Sequence, residues 1–261
     1  MPWKQKINKA LATATGYKIV NAAGARPPAP KPRAAKAEFP AHYDEMALPI
    51  LQAARPYSMT RTEKQYALYL ATRHVVRYDI PGSIVECGVW RGGSMHVVAR
   101  TLLAIGDTSR DLYLFDTFEG MTPPTERDVT YNGKPVTELL ATQPRTARIW
   151  AIASLEDVQQ GFEAIPYPSE KIHYVKGPVE ETLPGQAPDQ IAILRLDTDW
   201  YESTRHELLS LYDRVPSGGV VIIDDYGTYR GSREAVDEFI DQTGARLLLL
   251  PIGPGRIAVK P

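Results

Sequence analysis

The chain has 261 residues and a mass of 29.0 kDa, with 43% hydrophobic and 23% charged side chains, the balance expected of a globular protein with its own core. A mean hydropathy of -0.28, with no apolar run near the roughly 18 residues of a membrane span, excludes an integral membrane protein. A net charge of -1 excludes the general basic excess of a dedicated nucleic-acid binder, and the single cysteine, Cys87, forms no intrachain disulfide and points to a reducing, cytoplasmic setting.

The charge is unevenly placed. Of 30 basic and 31 acidic residues, eight basic ones (Lys4, Lys6, Lys9, Lys18, Arg26, Lys31, Arg33 and Lys36) and no acid fall within 1–36, which leaves 22 basic and 31 acidic for 37–261. Residues 1–37 therefore read as a basic, Pro/Ala-rich arm. Trp3, Ile7, Ala10, Leu11 and Ala14 in it fall near helical spacing, suiting either a peripheral contact with an anionic surface or a solvated tail.

Residues 38–82 read as an N-terminal helical cap, with two helical patterns over 48–80 separated by a turn at 55–58. Thr60 or Thr62 is expected to cap the second, which must end before Pro81. Residues 83–261 then alternate strands and helices. An apolar strand at 83–89 enters the turn RGGS, a helix runs from Met95 to Ala104, and a second strand follows at 112–118, making a βαβ unit. Residues 119–148 lack periodicity and suit either a lid loop or a disordered insertion. A helix at 155–163 and a strand from Ile172 come next. The runs 191–199 and 218–227 are near-continuously apolar strands of a parallel sheet covered on both faces. Between them Thr204 and Glu207 are spaced as a capping box, with Leu208, Leu211, Tyr212 and Val215 as the buried stripe. A helix stopped by Gly244 and a hairpin around GPG complete the chain, so the last strand is antiparallel and the fold class is α/β.

Two groups of residues carry chemistry. Glu86 and Gly88 close the first strand, Gly92, Gly93 and Ser94 open the helix, and Asp116 ends the second strand. Glycines allow a ligand close to the backbone at strand carboxyl ends, or serve only a tight turn. With Glu86 placed to attract an ammonium group and Asp116 to accept from two ribose hydroxyls, the set favours S-adenosylmethionine over NAD. The second group is acidic: Asp197 and Asp199 end one strand, Asp224 and Asp225 the next. If those strands are neighbours, each pair of charges about 4 Å apart repels by roughly 4 kcal/mol at an effective dielectric near 20. Such a cluster needs a cation or raised pKa values, and all-oxygen ligands suit Mg²⁺. The plainer alternative makes Asp199 and Asp225 loop or N-cap residues with no metal. Trp200 and Tyr201 either wall an acceptor pocket or pack beneath a loop, and Tyr226 and Tyr229 are candidates to close the site. Arg195 is expected to pair with a buried acid, and Cys87 to be a core residue.

The segments ECGVWRGGS at 86–94, LFDTFEGM at 114–121, LRLDTDWYEST at 194–204, GGVVIIDDYG at 218–227 and the later REAVDEF resemble the macrocin O-methyltransferase family of the TylF type, which includes antibiotic-sugar methyltransferases. The likeness runs from about residue 58 to the last strand and leaves 1–37 outside. It implies a Rossmann-like class I methyltransferase fold, with a mostly parallel seven-stranded sheet, an antiparallel C-terminal strand and helices on both faces. It implies dependence on S-adenosyl-L-methionine and Mg²⁺, with metal ligands Asp197, Asp224 and Asp225. Cofactor contacts carry over to Glu86, Gly88, Trp90, Arg91, Gly92, Asp116, Thr117, Phe118 and Asp197, and also to Met59, Ser154 and Lys176 or Gly177. Asp197 or Asp199 is the implied base, the acceptor a sugar hydroxyl or another small diol such as a catechol, and the assembly a homo-oligomer. Competing readings are a cofactor-binding scaffold without catalysis and an NAD-dependent oxidoreductase.

Overall fold

The structure is a computed structural model that describes residue 13 and residues 39–261; the helix expected in the basic arm lies outside the described residues. Helices α1 (Ala47–Ala54) and α2 (Thr62–Arg77) precede β1 (Ser83–Cys87), α3 (Gly93–Ile105) and β2 (Leu112–Asp116). The chain continues through α4 (Val136–Thr142), α5 (Leu155–Glu163), β3 (Ile172–Lys176), α6 (Val179–Thr182) and β4 (Ile191–Leu196). It ends with α7 (Tyr201–Leu211), β5 (Val220–Ile223), α8 (Arg230–Thr243), β6 (Leu250–Ile252) and β7 (Gly255–Val259). None of the described helices is long and apolar enough to cross a membrane.

The seven strands lie in the order β3-β2-β1-β4-β5-β7-β6. The first five are mutually parallel, while β7 runs antiparallel to β5 and β6 antiparallel to β7, as the hairpin around Gly253 required. Side chains alternate between the two faces. Ile84, Leu112 and Leu114 meet Leu68, Val75 and Leu102 on one face, and Val85, Phe115 and Leu194 meet Leu208, Leu211 and Phe239 on the other. Double-sided burial explains why these strands read as apolar runs. Helix α2 packs into the first of these cores.

Pairing continues past the strand ends, with Gly88 N–H donating to Phe115 O at 2.8 Å, Asp197 N–H to Cys87 O at 2.8 Å and Asp224 N–H to Leu196 O at 2.9 Å. The carboxyl ends of β2, β1, β4 and β5 are thereby held as one row. Strands β4 and β5 are neighbours, with Leu196 opposite Ile223, so the two Asp pairs that follow them are brought to one mouth of the sheet.

Three expectations for local structure are corrected. Neither Thr60 nor Thr62 caps α2: Arg61 stands at the N-cap without a side-chain bond, and Thr60 Oγ1 instead accepts from Arg195 at 3.2 Å. Thr204 and Glu207 are no capping box, because α7 begins three residues earlier at Tyr201 and both lie buried inside it. Its end is satisfied from a distance: the Asp128 carboxylate accepts the Tyr201 N–H at 2.8 Å. The 119–148 segment is built rather than structureless. It forms α4 and bridges pairing Val129 with Pro135 and Thr130 with Tyr229, and it seats Val136 and Leu140 against Trp200.

Candidate active site

The row of strand ends opens on a cleft of about 380 Å³. Gly88 sits in it with φ +81, and a Cβ there would fall 2.2 Å from the Asp197 carbonyl oxygen. The glycine is therefore required first by the approach of β4, whatever it also allows a ligand. Gly93 is required in the same way by the turn before α2, since a Cβ would lie 2.5 Å from the Tyr57 carbonyl oxygen. Trp90, Phe118 and Asp199 take positive φ values of 48, 54 and 70, a cost that non-glycine residues bear only where surrounding contacts hold them.

Asp116 supplies some of those contacts. Its Oδ2 accepts from Val89 N–H at 2.7 Å and Trp90 N–H at 3.1 Å, and its Oδ1 accepts from Phe118 N–H at 2.7 Å. The carboxylate ties the loop after β1 to the loop after β2. Burial raises its pKa, and these backbone donors oppose the rise. Of the expected cofactor residues, Met59, Gly88, Trp90, Asp116, Thr117, Gly177 and Asp197 line the cleft. The structure gives others different work. Arg91 forks onto Asp157 at 2.6 and 2.9 Å, Ser154 caps α5 by accepting Asp157 N–H at 3.1 Å, Phe118 is buried in the core, and Gly92 takes the left-handed N-cap position of α3. Lys176 pairs with Glu119 at 2.8 Å. Glu86 is not a strand-tip charge facing a ligand: it is 2% exposed and paired with Arg195.

Arg195 is the centre of a buried charge network. Its Nη1 binds Glu86 of β1 and Asp197 Oδ2 at 2.7 Å, and its Nη2 binds Asp224 Oδ1 at 2.5 Å. One guanidinium thus touches acids that belong to three adjacent strands and their ends. Lys64, from the first turn of α2, pairs with the other oxygen of Asp224 and donates to its carbonyl at 2.8 Å. Sequence patterning gave no sign of this, because a lysine in the first turn of an amphipathic helix reads as a solvated side chain.

Asp197, Asp199 and Asp225 each place an oxygen within 4.8 Å of the others, while Asp224, expected among the metal ligands, is taken up by the two cations. Asp225 is buried, and its Oδ2 has no hydrogen-bond partner. Burial, together with the neighbouring acids, pushes Asp197 and Asp225 well above the usual carboxylate range. Burial also pushes Asp199 up to about 7, against a hydrogen bond from Asp225, and Glu86 up to about 7, against Arg195. At Asp224 burial is outweighed by Arg195 and Lys64, and its pKa is lowered. Three crowded oxygen donors with raised pKa values and one orphaned oxygen fit a hard divalent cation such as Mg²⁺.

The pH dependence has a definite sign. Glu86 and Asp199 bind protons in the folded chain up to about 7 but in the unfolded chain only to their ordinary values of 4.5 and 3.8, so without a cation stability falls as pH rises through that window. A cation binds the deprotonated cluster. Millimolar Mg²⁺ is accordingly expected to raise the melting midpoint by several degrees near pH 8 and by much less near pH 5.5 in differential scanning fluorimetry. Equal shifts at both pH values would contradict this.

Trp200 and Tyr201 pack beneath the loop rather than walling the cleft. Trp200 is buried, donates from Nε1 to Thr122 O at 3.0 Å and meets the Tyr229 ring edge-on at 5.2 Å. Tyr201 is covered by Arg127, whose guanidinium sits 3.4 Å from the ring centroid, and its hydroxyl donates to Glu238 at 2.6 Å. Tyr226 likewise donates to Asp237 at 2.7 Å. Cys87 is buried, and desolvation pushes its thiol well up, which suits a core residue.

The sequence model described as Macrocin-O-methyltransferase (TylF) matches residues 33–252 of the chain, so the likeness extends into the segment expected to lie outside it. The chain is 32% identical over 188 residues to the 8-demethyl-8-(2,3-dimethoxy-alpha-L-rhamnosyl)-tetracenomycin-C 4'-O-methyltransferase of Streptomyces olivaceus, covering 72% of this chain and 69% of that one. It is 31% identical over 186 residues to the demethyldecarbamoylnovobiocin O-methyltransferase of Streptomyces niveus, covering 71% and 68%. Among solved structures, that of the O-methyltransferase NovP superposes with a TM-score of 0.69 at 28% identity, covering 78% of this chain and 82% of that one.

Proposed function

From a chain that belongs to the macrocin-O-methyltransferase (TylF) family, and is therefore an O-methyltransferase, we infer transfer of the methyl group of S-adenosylmethionine to a hydroxyl of a sugar, assisted by Mg²⁺. The observation that carries the metal-assisted part is the convergence of Asp197, Asp199 and Asp225 at the mouth of β4 and β5, in the same cleft as Gly88 and Asp116. The relatives' names supply the sugar. The Streptomyces olivaceus enzyme is named for 4'-O-methylation of a rhamnosyl tetracenomycin.

When bound, S-adenosylmethionine would supply the electrophilic methyl group, and a divalent ion held by Asp197, Asp199 and Asp225 would supply a Lewis acid for an acceptor hydroxyl. What remains for the protein is alignment and proton removal. Gly88, Trp90, Asp116, Thr117 and Gly177 line the β1–β2–β3 side of the cleft, the side this reading assigns to the cofactor. Asp197, Asp224 and Asp225 line the β4–β5 side, the side this reading assigns to the acceptor. Asp199 is the better candidate for the base, because an oxygen of Asp197 already accepts from Arg195 at 2.7 Å. The reading extends to a homo-oligomer, as the family resemblance implies, and to a cytoplasmic setting, as the single cysteine suggests.

The test is methyl transfer from labelled S-adenosylmethionine to a panel of deoxysugar glycosides, nucleotide sugars and catechols, with and without EDTA. Labelled sugar, loss of turnover in EDTA and recovery on adding Mg²⁺ are expected. Turnover confined to catechols would replace the acceptor class, and full activity in EDTA would remove the metal.

A further inference from the structure

Lys64 lies at the third position of α2, yet its side chain is turned into the site and is only 7% exposed. A buried ammonium is held only where it is paired and hydrogen-bonded. Here both conditions are met by a single residue, since Nζ donates to the Asp224 carbonyl at 2.8 Å and pairs with its carboxylate. The space around it is tight: at Gly255, the first residue of β7, a Cβ would lie 3.0 Å from the Ile223 and Asp224 carbonyl oxygens and 3.3 Å from Lys64 Cε. The remaining Asp224 oxygen is bound to Arg195. Of four carboxylates at the mouth of β4 and β5, Asp224 alone is thus occupied by cations at both oxygens, and it is also the one left out of the close set of Asp197, Asp199 and Asp225.

We propose that Lys64 is a resident cation of the acidic site, a positioning residue that holds Asp224 against Arg195 and competes with a divalent ion for that carboxylate. The proposal rests on the metal-assisted reading above. Two effects follow from a fixed unit charge at this place. The carboxylate keeps one orientation, and the site is kept from binding a divalent ion as tightly as its four acids would otherwise allow. Helix α2 thereby becomes part of the acceptor side of the cleft instead of merely covering the sheet. Arg195 differs in role, because it reaches Glu86 and Asp197 as well as Asp224.

The experiment measures Mn²⁺ affinity of the full chain, without cofactor or acceptor, from the electron paramagnetic resonance signal of free Mn²⁺. Lys64→Met keeps the apolar stem and removes the charge. Lys64→Gln removes the charge and keeps a donor for the Asp224 carbonyl. Each is expected to bind Mn²⁺ about tenfold more tightly than the parent, as the loss of a nearby unit charge requires, whereas Lys64→Arg stays within about threefold. In both neutral variants turnover is expected to fall, while affinity for S-adenosylhomocysteine stays within about threefold, because Lys64 touches the β5 end and not the β1–β2 loops. A lysine serving only stability would give no gain in metal affinity. Unchanged or weaker Mn²⁺ binding by whichever neutral variant keeps the parental melting midpoint overturns the proposal while leaving the metal reading intact. Absence of Mn²⁺ binding in the parent and the variants overturns both.

Discussion

Arg195→Met is expected to destabilise the folded chain by about 3–5 kcal/mol near pH 8, the cost of leaving buried charge without its partner. The guanidinium is 3% exposed and is shared by Glu86, Asp197 and Asp224. A methionine fills much of the same volume, so the loss is electrostatic rather than a cavity effect. Glu86 shows the asymmetry most clearly: it is 2% exposed, and Arg195 is its salt-bridge partner. Without that partner it must protonate to stay buried. The penalty should therefore shrink near pH 5.5, where the acids take up protons in the folded state at little cost. Urea unfolding at the two pH values measures it. A loss under about 1 kcal/mol, or the same loss at both, would show that the network is not the main determinant of stability at the strand ends.

Asp197→Asn is expected to lower kcat by about 10³-fold, the size typical of removing a positioned proton acceptor or a metal ligand. The same variant should be at least as stable as the parent near pH 8. Burial and the charges of Asp224 and Asp225 push Asp197 well above the usual carboxylate range, so its ionised form is costly to the fold, and an amide removes that cost. The Asn carbonyl oxygen still accepts from Arg195, and the backbone anchor from Asp197 N–H to Cys87 O at 2.8 Å is unaffected. Steady-state kinetics beside thermal melts separates the two effects. A residue kept for function at the expense of stability gives a loss of rate with a gain in melting midpoint, whereas kcat within tenfold of the parent would remove Asp197 from the chemistry. Affinity for S-adenosylhomocysteine is expected to stay within about tenfold, since Gly88, Trp90 and Asp116 remain in place.

The strands were legible because burial on both faces forces apolar residues into consecutive positions, as in Ile191–Leu196, where all six are buried. A helix end marked by glycine was legible for a related reason. Gly244, which stops α8, takes the left-handed conformation that other residues avoid. The start of α7 is hidden from local spacing because its first N–H is satisfied by Asp128, 73 positions earlier in the chain. Glu207, spaced like half of a capping box, is fully buried, and desolvation pushes its carboxyl well up. The segment after β2 was opaque for a different reason. Its apolar residues Val136 and Leu140 are few and are buried against Trp200, and one or two contacts leave no periodicity to read.

By itself the sequence determined the α/β class, the order of strands and helices, the family, and the fact that four aspartates end two long strands. These are properties of composition, spacing and local backbone preference, and they are written residue by residue. Only the tertiary structure decided what each charge faces. It turned Lys64 inward, joined Glu86, Asp197 and Asp224 through Arg195, and separated Asp224 from the close set of Asp197, Asp199 and Asp225. Coulomb energy depends on distance and on the surrounding dielectric, and both are set by which strands lie side by side and how deeply their ends are covered.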